Sequence, residues 1–179
     1  VVELVHMATL VHDDVLDEAD SRRGGETINR QRGNETAVIL GDYLIAAAFH
    51  LCSTLPNQEP SRTIGRVSME LCAGELLQLE NRDNLSLDEP TYFEILESKT
   101  AALVGACCLL GGQAAGATPE QAAGLDRYGR RVGAAFQVQD DVLDLTGDES
   151  VVGKTLGRDL KKGKVTLPLI RHLGALDAP

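Results

Sequence analysis

The sequence has no excess of positive charge. Lys and Arg number 17 against 27 Asp and Glu, which gives a formal net charge of −10. A protein that binds nucleic acid through a general basic surface needs the opposite balance, because phosphates dominate that affinity. The sequence therefore argues against a nucleic-acid partner and suits a protein that holds anions through metal ions.

The sequence also lacks a signal peptide and an uninterrupted apolar run of transmembrane length. The histidines are scattered, and the cysteines show no metal-ligand spacing: Cys52, Cys72, Cys107 and Cys108. Cysteines in apolar helical surroundings are typical of small buried core thiols in a reducing compartment. We therefore expect a cytoplasmic protein without a transmembrane segment and without a zinc site.

The alternation of apolar and polar residues that marks strands is absent too. Apolar residues instead recur in steps of three and four over residues 1–18, which predicts a helix buried on much of its circumference. The same reading predicts further helices over residues 35–55, 60–80, 86–110 and 118–145. The fold class is therefore all-α.

Helix boundaries are marked by capping residues. Ser86 with Glu89 three residues later predicts a capping-box start, and Gly111-Gly112 predicts the end of that helix. Thr118-Pro119-Glu120-Gln121 predicts a second strong start, with Gly147 closing the helix. The length suits one domain over 1–179. We expect it to be truncated, since the sequence starts without methionine inside an apolar pattern and stops shortly after a motif-rich loop.

Two acidic motifs of the form Asp-Asp-x-x-Asp, each with Val-Leu between the acids, lie at 13–17 and 140–144. On a helix their first and last acids are i and i+4 neighbours, roughly 6 Å apart along the axis, where like charges repel. Such clusters favour a bound cation, and hard carboxylate oxygens favour magnesium shared with a substrate phosphate. One copy would more often be a solvated acidic face; two copies in apolar helices predict a magnesium–diphosphate site.

Basic residues follow both motifs. Arg22 and Arg23 offer planar forks suited to phosphate oxygens. The glycine-rich stretch 147–164 carries four lysines and an arginine, and it could close over a bound diphosphate. It is not a Walker loop, because Gly153-Lys154-Thr155 lacks the preceding glycine at the required spacing and a strand before it.

Together these segments resemble the trans-isoprenyl diphosphate synthases, the polyprenyl synthetases. Residues 5–24 are similar to the family's first aspartate-rich region, and residues 133–144 to its second. Gly41-Asp42-Tyr43-Leu44, Lys99-Thr100-Ala101 and the segment 153–168 match its other motifs in the same order. The resemblance covers essentially the whole chain. It implies an isoprenoid-synthase-type antiparallel helix bundle around a central cavity, here partial with both ends missing.

The resemblance also implies an activity: a magnesium-dependent prenyltransferase that condenses isopentenyl diphosphate with an allylic prenyl diphosphate, trans and head-to-tail (1'-4). Ionisation to an allylic carbocation would precede attack by the isopentenyl alkene, and the product would be a polyprenyl diphosphate. Three magnesium ions and a homodimer are implied. The family's upstream basic motif and its C-terminal helices are absent from this sequence.

Metal and diphosphate roles carry over position by position. Asp13 and Asp17 would ligate two magnesium ions and Asp140 a third, with Asp14, Asp141 and Asp144 in support. Arg22 would contact the allylic diphosphate, and Arg23 with His6 the isopentenyl diphosphate. The lysines that would hold the allylic diphosphate are Lys99, Lys154 and Lys164. Thr100 and Gln137 would line the reacting end of the chain.

Product length is expected to depend on the helical turn before Asp13, lined by Val5, Ala8, Thr9 and His12. Ala8 is small where short-chain members of the family carry an aromatic plug, and no Phe or Tyr lies between residues 1 and 17. Medium- to long-chain products are therefore expected.

Several alternatives differ in their motifs. The nearest are a short-chain geranylgeranyl or farnesyl diphosphate synthase and a non-catalytic subunit of a heteromeric synthase, although such subunits tend to lose motif acids. A class I terpene cyclase or a squalene- or phytoene-type enzyme would carry its second acid set in another arrangement. An acidic metal-buffering helical protein would not need the arginine pair and the lysine-rich stretch.

Overall fold

The computed structural model describes residues 1–147 and 157–176, and it confirms the all-α prediction. In chain order its helices are α1 (Val2–Leu16), α2 (Ile28–Arg32), α3 (Asn34–Ser53), α4 (Glu59–Glu80), α5 (Glu89–Leu96), a π-helical turn (Glu97–Ala101), α6 (Ala102–Ala114), α7 (Pro119–Thr146), α8 (Arg158–Lys161) and α9 (Leu167–Leu176). A short antiparallel hairpin joins β1 (Ser21–Arg22) to β2 (Gly25–Glu26).

The chain divides into two compact units, Val1–Ser68 and Met69–Pro179. In the first, α1 and α2 pack against α3. In the second, α7 packs along α6 and the π-helical turn. The prediction of a single domain over 1–179 stays a prediction.

The start of α7 is as predicted, whereas the start of α5 is not. Thr118 and Gln121 form the reciprocal capping box of α7, and Gly147 is its C-cap residue. The N-cap residue of α5 is Asp88, whose Oδ1 accepts the Thr91 N–H at 2.9 Å. With Ser86 as N-cap, Pro90 would stand at the first position whose N–H must bond within the helix, and proline has no N–H to give.

The helix predicted to stop at Gly111-Gly112 continues to Ala114. Both glycines stay helical, and the chain turns at Gly116, whose φ of +83° lies in the left-handed region that glycine adopts without strain. Between α5 and α6 the backbone widens into the π-helical turn, which carries Lys99 and Thr100. Single π turns inside helices are frequent at functional sites.

The buried residues of α1 form a single stripe, Val5, Ala8, Val11 and Asp14, rather than the wide buried circumference predicted. Apolar residues outside the stripe, such as Met7 and Leu16, are 38% and 44% exposed. The periodicity therefore predicted the helix correctly but overestimated how much of its surface the described chain covers.

The four cysteines are free, and only Cys52 is the buried core thiol that was predicted. Cys108 is partly covered, whereas Cys72 and Cys107 are exposed, so that prediction is wrong for these two. Both lie on helices, but on faces that no described element covers. Helix periodicity cannot distinguish such a face from a core face.

Within the described ranges, α3 is the one helix long and apolar enough to cross a membrane, with a mean hydropathy of 1.5. Length and composition do not separate a membrane span from a packed helix of a soluble protein. In this structure α3 contacts both α1 and α2, and 22% of its apolar window is buried.

Glycines let α6 and α7 approach closely. A Cβ at Gly129 would lie 2.7 Å from the Val104 carbonyl oxygen and 2.9 Å from the Gly105 Cα. A Cβ at Gly133 would lie 2.8 Å from the Ala101 Cα. These contacts are with backbone atoms, which cannot move aside without shifting a helix. The position of α7 beside the π-helical turn therefore depends on these glycines.

We predict opposite effects for two glycine-to-alanine changes. Gly129→Ala should lower the free energy of unfolding by about 2 kcal/mol, because it overpacks the α6–α7 contact. Gly111→Ala, where nothing lies within 4 Å of the added Cβ, should raise it by about 0.5–1 kcal/mol through helix propensity. Urea denaturation followed by circular dichroism measures both; an unchanged Gly129→Ala midpoint would contradict the proposed close packing.

Candidate functional site

The first acidic motif occupies the C-terminal turn of α1. Asp13 lies in its last turn and Asp17 is its C-cap residue, and both are partly buried. Asp14 between them is only 6% exposed, and its Oδ1 accepts from Nε and Nη2 of Arg22, each at 2.8 Å. The middle acid of the motif is therefore neutralised by a guanidinium eight residues later.

The hairpin after α1 presents both arginines. Arg23 and Gly24 are its two central residues, with φ of +51° and +78°, as a type I′ turn requires. Thr27 donates to the Ala19 carbonyl at 2.6 Å, and Asn29 donates to the same carbonyl at 3.1 Å. This turn places the Arg22 guanidinium on Asp14 and leaves Arg23 exposed at the tip. The hairpin was not predicted from the sequence.

Residues upstream of the motif are covered. Val5 and Ala8 are 1% and 0% exposed, and partly buried Thr9 donates to the His6 carbonyl at 2.8 Å. The roles of these residues in product length and in isopentenyl diphosphate binding stay predictions.

The ring of His12 packs against α3. Its Nε2 lies 3.0 Å from the Val38 carbonyl oxygen and 3.5 Å from Oδ1 of Asp42. A Cβ at Gly41 would lie 2.1 Å from this nitrogen, so the ring occupies the space that the glycine leaves. Among the residues expected to line the path of the growing tail, His12 is the one that the structure supports least, because its ring is directed to α3.

A cavity of about 100 Å³ lies inside the second unit. It contains five of the residues predicted from sequence: Lys99, Thr100, Gln137, Asp141 and Lys164. Its other lining residues are Gln78, Asn81, Leu87, Tyr92, Ile95, Leu96, Asp159, Val165 and Thr166. Charged groups and apolar walls thus meet in one small cavity.

A chain of hydrogen bonds crosses this cavity. Thr100 Oγ1 donates to Gln137 Oε1 at 3.1 Å, and Gln137 Nε2 donates to Asp141 Oδ1 at 2.9 Å. Tyr92 Oη donates to the other carboxylate oxygen, Asp141 Oδ2, at 2.6 Å. Thr100 and Gln137 are therefore brought together, and Asp141 is held by donors from two helices.

Burial dominates the titration of this pair. It raises the pKa of Asp141, although the hydrogen bonds from Tyr92 and Gln137 act in the opposite direction. Burial also raises the pKa of Tyr92 far above its usual range, and the bond to Asp141 adds to this. The phenol therefore stays protonated and remains a donor at every physiological pH.

Two of the three predicted lysines, Lys99 and Lys164, lie at the cavity. Lys99 Nζ donates to Gln78 Oε1 at 2.8 Å and forms an ion pair with Glu75. A Cβ at Gly74 would lie 2.7 Å from the Lys99 backbone nitrogen, so α4 passes tightly against the π-helical turn. Lys164 is partly buried at the cavity. Lys154 lies outside the described residues.

The other acids of the second motif differ in burial. Asp140 is partly buried, whereas Asp144 is 4% exposed and its Oδ2 accepts the Asp159 N–H at 3.2 Å. In the described part of the chain, no three Asp, Glu, His or Cys side chains form a group that could hold a metal ion by themselves. A metal at either motif would therefore need ligands beyond these side chains.

Three further members of the cavity were not predicted from the sequence: Tyr92, Gln78 and Asp159. Tyr92 lies two helical turns before Lys99 and is 5% exposed, whereas the other tyrosines, Tyr43 and Tyr128, are 68% and 63% exposed. Its spacing from Lys99 on one helix face was the available signal. Its partner, 49 residues away, was not visible in the sequence.

Comparison with known proteins identifies relatives over the whole chain. The family description "polyprenyl synthetase" matches residues 1–178. Octaprenyl diphosphate synthase of Escherichia coli (strain K12) is 41% identical over 172 residues, covering 96% of this chain and 53% of the relative. Heptaprenyl diphosphate synthase component 2 of Geobacillus stearothermophilus is 43% identical over 174 residues, covering 96% and 54%.

Solved structures agree. The crystal structure of a polyprenyl synthase from Caulobacter crescentus CB15, complexed with calcium and isoprenyl diphosphate, gives a TM-score of 0.93 at 37% identity. The matched region covers 98% of this chain and 54% of the Caulobacter chain. The chain therefore spans about half the length of the relatives it matches. The expected isoprenoid-synthase fold is confirmed, and the chain belongs to the polyprenyl synthetase family.

Proposed function

We propose that the protein is a trans-prenyltransferase that adds isopentenyl diphosphate, head-to-tail (1'-4), to an allylic prenyl diphosphate and releases a polyprenyl diphosphate. Membership of the polyprenyl synthetase family supports the reaction class. The observation that carries the proposal is the cavity of the second unit, where two lysines lie beside the Thr100–Gln137 pair and apolar walls. Such a reaction requires positive groups that bind the leaving diphosphate, an oxygen that stabilises the carbocation, and an apolar surface that excludes water.

Magnesium fits the donors that the motifs offer. It takes one or two carboxylates and completes its octahedral shell with waters and phosphate oxygens, so no three-acid cluster is needed. We propose that Asp13 and Asp17 hold two ions and that Asp140 holds a third. Asp14, Asp141 and Asp144 would support the motifs, because protein donors already occupy their oxygens. Bound magnesium would draw electron density onto the leaving diphosphate.

The basic groups divide between the two substrates in this proposal. Lys99, Lys164 and Lys154 would hold the allylic diphosphate, and Arg23 with His6 would contact isopentenyl diphosphate. Arg22 would reach the allylic diphosphate only by sharing its guanidinium with Asp14, since both nitrogens that it offers there are bonded to that carboxylate.

Thr100 and Gln137 would face the carbocation that remains when the allylic C–O bond breaks. The oxygen ends of their dipoles stabilise positive charge until the alkene of isopentenyl diphosphate attacks and the proton leaves to the departing diphosphate. Leu87, Ile95, Leu96 and Val165 line the same cavity and would exclude the water that quenches the cation.

We propose medium- to long-chain products, as expected from Val5, Ala8 and Thr9. The names of the octaprenyl and heptaprenyl relatives support this, although one relative that is 39% identical is named geranylgeranyl diphosphate synthase. We further propose a cytoplasmic homodimer. Exposed apolar side chains on α3, such as Ile39 and Tyr43 at 67% and 68%, supply a surface for a second copy, and the free cysteines suit a reducing compartment.

A second candidate is one subunit of a two-component synthase, because one relative is named component 2. The two candidates separate in one assay: a homomeric enzyme elongates when purified alone, whereas a component elongates only after its partner is added.

We predict that Asp13→Asn lowers elongation by about a hundredfold or more, because a metal-bound carboxylate becomes neutral. Asp20→Asn, at an acid outside the motif whose side chain is 79% exposed, should leave the rate within about twofold. The assay incubates the intact protein with magnesium, farnesyl diphosphate and labelled isopentenyl diphosphate, and it sizes the products. Absence of elongation by the wild-type protein, alone or with a partner, would overturn the proposed function.

We predict that Ala8→Phe shortens the product by at least one isoprene unit, because the larger side chain closes the tail path one turn before Asp13. Ala8 is fully buried, so the thermal midpoint is measured beside the product length. Ala123→Phe, at an exposed position of α7, is the matched control and should leave the chain length unchanged. Unchanged products from a folded Ala8→Phe variant would exclude this residue as the floor.

A further inference from the structure

Tyr92 is unlike the other tyrosines of the chain. It is 5% exposed, whereas Tyr43 and Tyr128 are 68% and 63% exposed, and all three lie in the described ranges. Its ring belongs to the apolar cluster of the second unit, together with Leu87, Leu96 and Val165. A phenylalanine would serve that packing equally well, so packing alone does not explain the hydroxyl.

We propose that Tyr92 is a positioning residue of the prenyl-transfer site: its hydroxyl orients Asp141, and through Asp141 it fixes which end of the Gln137 amide faces Thr100 and the cavity. The inference rests on the proposed function, since it assigns a role in that reaction. Tyr92 itself would not react.

The first step is the division of the Asp141 carboxylate between two donors. Oδ2 accepts the Tyr92 hydroxyl at 2.6 Å, which is the short length of a bond to a charged oxygen, and Oδ1 accepts Gln137 Nε2 at 2.9 Å. Asp141 is 4% exposed. With both oxygens held, its carboxylate plane cannot rotate without breaking one of these bonds.

The second step is the direction of the Gln137 amide. An amide has a donor end and an acceptor end, and the bond from Nε2 to Asp141 commits the donor end. Oε1 therefore accepts from Thr100 at 3.1 Å, and both residues line the cavity. Turned by half a rotation, the amide would direct its positive end to the place where a carbocation is proposed to form.

The third step is what loss of the hydroxyl changes. Tyr92→Phe keeps the ring but leaves Oδ2 of a buried carboxylate without this donor, which is costly where little water can replace it. Rotation towards other donors then lowers the free energy of the Asp141 carboxylate. The Gln137 amide thereby loses the contact that sets its direction. The defect would appear when positive charge develops rather than when the diphosphates bind.

The kinetic test compares Tyr92→Phe with the matched control Tyr128→Phe in the intact protein. We expect kcat for elongation to fall by roughly tenfold in Tyr92→Phe, while KM for both diphosphates changes by less than about twofold. Tyr128→Phe should match the wild-type protein. An unchanged kcat in Tyr92→Phe, or a KM effect of equal size, would overturn the inference while the proposed function stands.

A second variant tests whether Tyr92 acts through Asp141. Asp141→Asn offers one acceptor where two donors converge, so it should lower kcat in the same way. The double variant Tyr92→Phe/Asp141→Asn should be no slower than the slower single variant, because both remove one coupled arrangement. Independent, multiplying effects would show that Tyr92 acts without Asp141 and would overturn the inference.

A substrate-free measurement separates this inference from the proposed function. In protein labelled with 15N-glutamine, one side-chain amide should exchange slowly with water and should vanish in Gln137→Leu. Tyr92→Phe should shift that resonance and speed its exchange, and Tyr128→Phe should do neither. An unmoved resonance would refute the positioning even in a protein that elongates prenyl chains, whereas absent elongation by the wild-type protein would refute only the function.

Discussion

Two buried carboxylates, Asp14 and Asp141, set conditions that the surrounding structure has to meet. Each is the second acid of its motif, and they are 6% and 4% exposed. A carboxylate removed from water without donors costs several kcal/mol, so each needs partners from elsewhere in the chain. Arg22 of the hairpin supplies them to Asp14, and Tyr92 of α5 with Gln137 of α7 supplies them to Asp141.

Because of this requirement, the acids within each motif have different roles. The middle acid ties its helix to a neighbouring element, and the first acid remains only partly buried, as Asp13 and Asp140 show. The proposed cation-binding function and a structural function can therefore share one five-residue motif and use different aspartates of it. The different roles also explain why no three acids need to converge on one point. The proposed magnesium sites take one or two carboxylates each, and waters and phosphate oxygens would supply the remaining ligands.

The backbone conformation also determines which residues reach the cavity. The π-helical turn carries Lys99 and Thr100 at the cavity, and the glycines at 129 and 133 let α7 approach that turn. Little of this was visible in the sequence, because a π turn has no strong residue signature and a helical glycine can mean close packing or nothing, as Gly129 and Gly111 illustrate. Local capping chemistry was more reliable at Thr118 than at Ser86, where the placement of Pro90 decided the helix start.

The sequence by itself determined the all-α class, the main helices, the two acidic motifs and, through their order and spacing, the family. These properties are local or are carried by contiguous motifs, so they can be read from periodicity and residue type. Only the tertiary structure decided which acids are buried, which cysteines are exposed, that Arg22 is held by Asp14, and that Tyr92 meets Asp141 across 49 residues. Burial and pairing depend on what packs against a side chain, and the sequence of a single helix does not contain that neighbour. The acidic motifs were thus predictable as motifs, and the separate task of each aspartate was not.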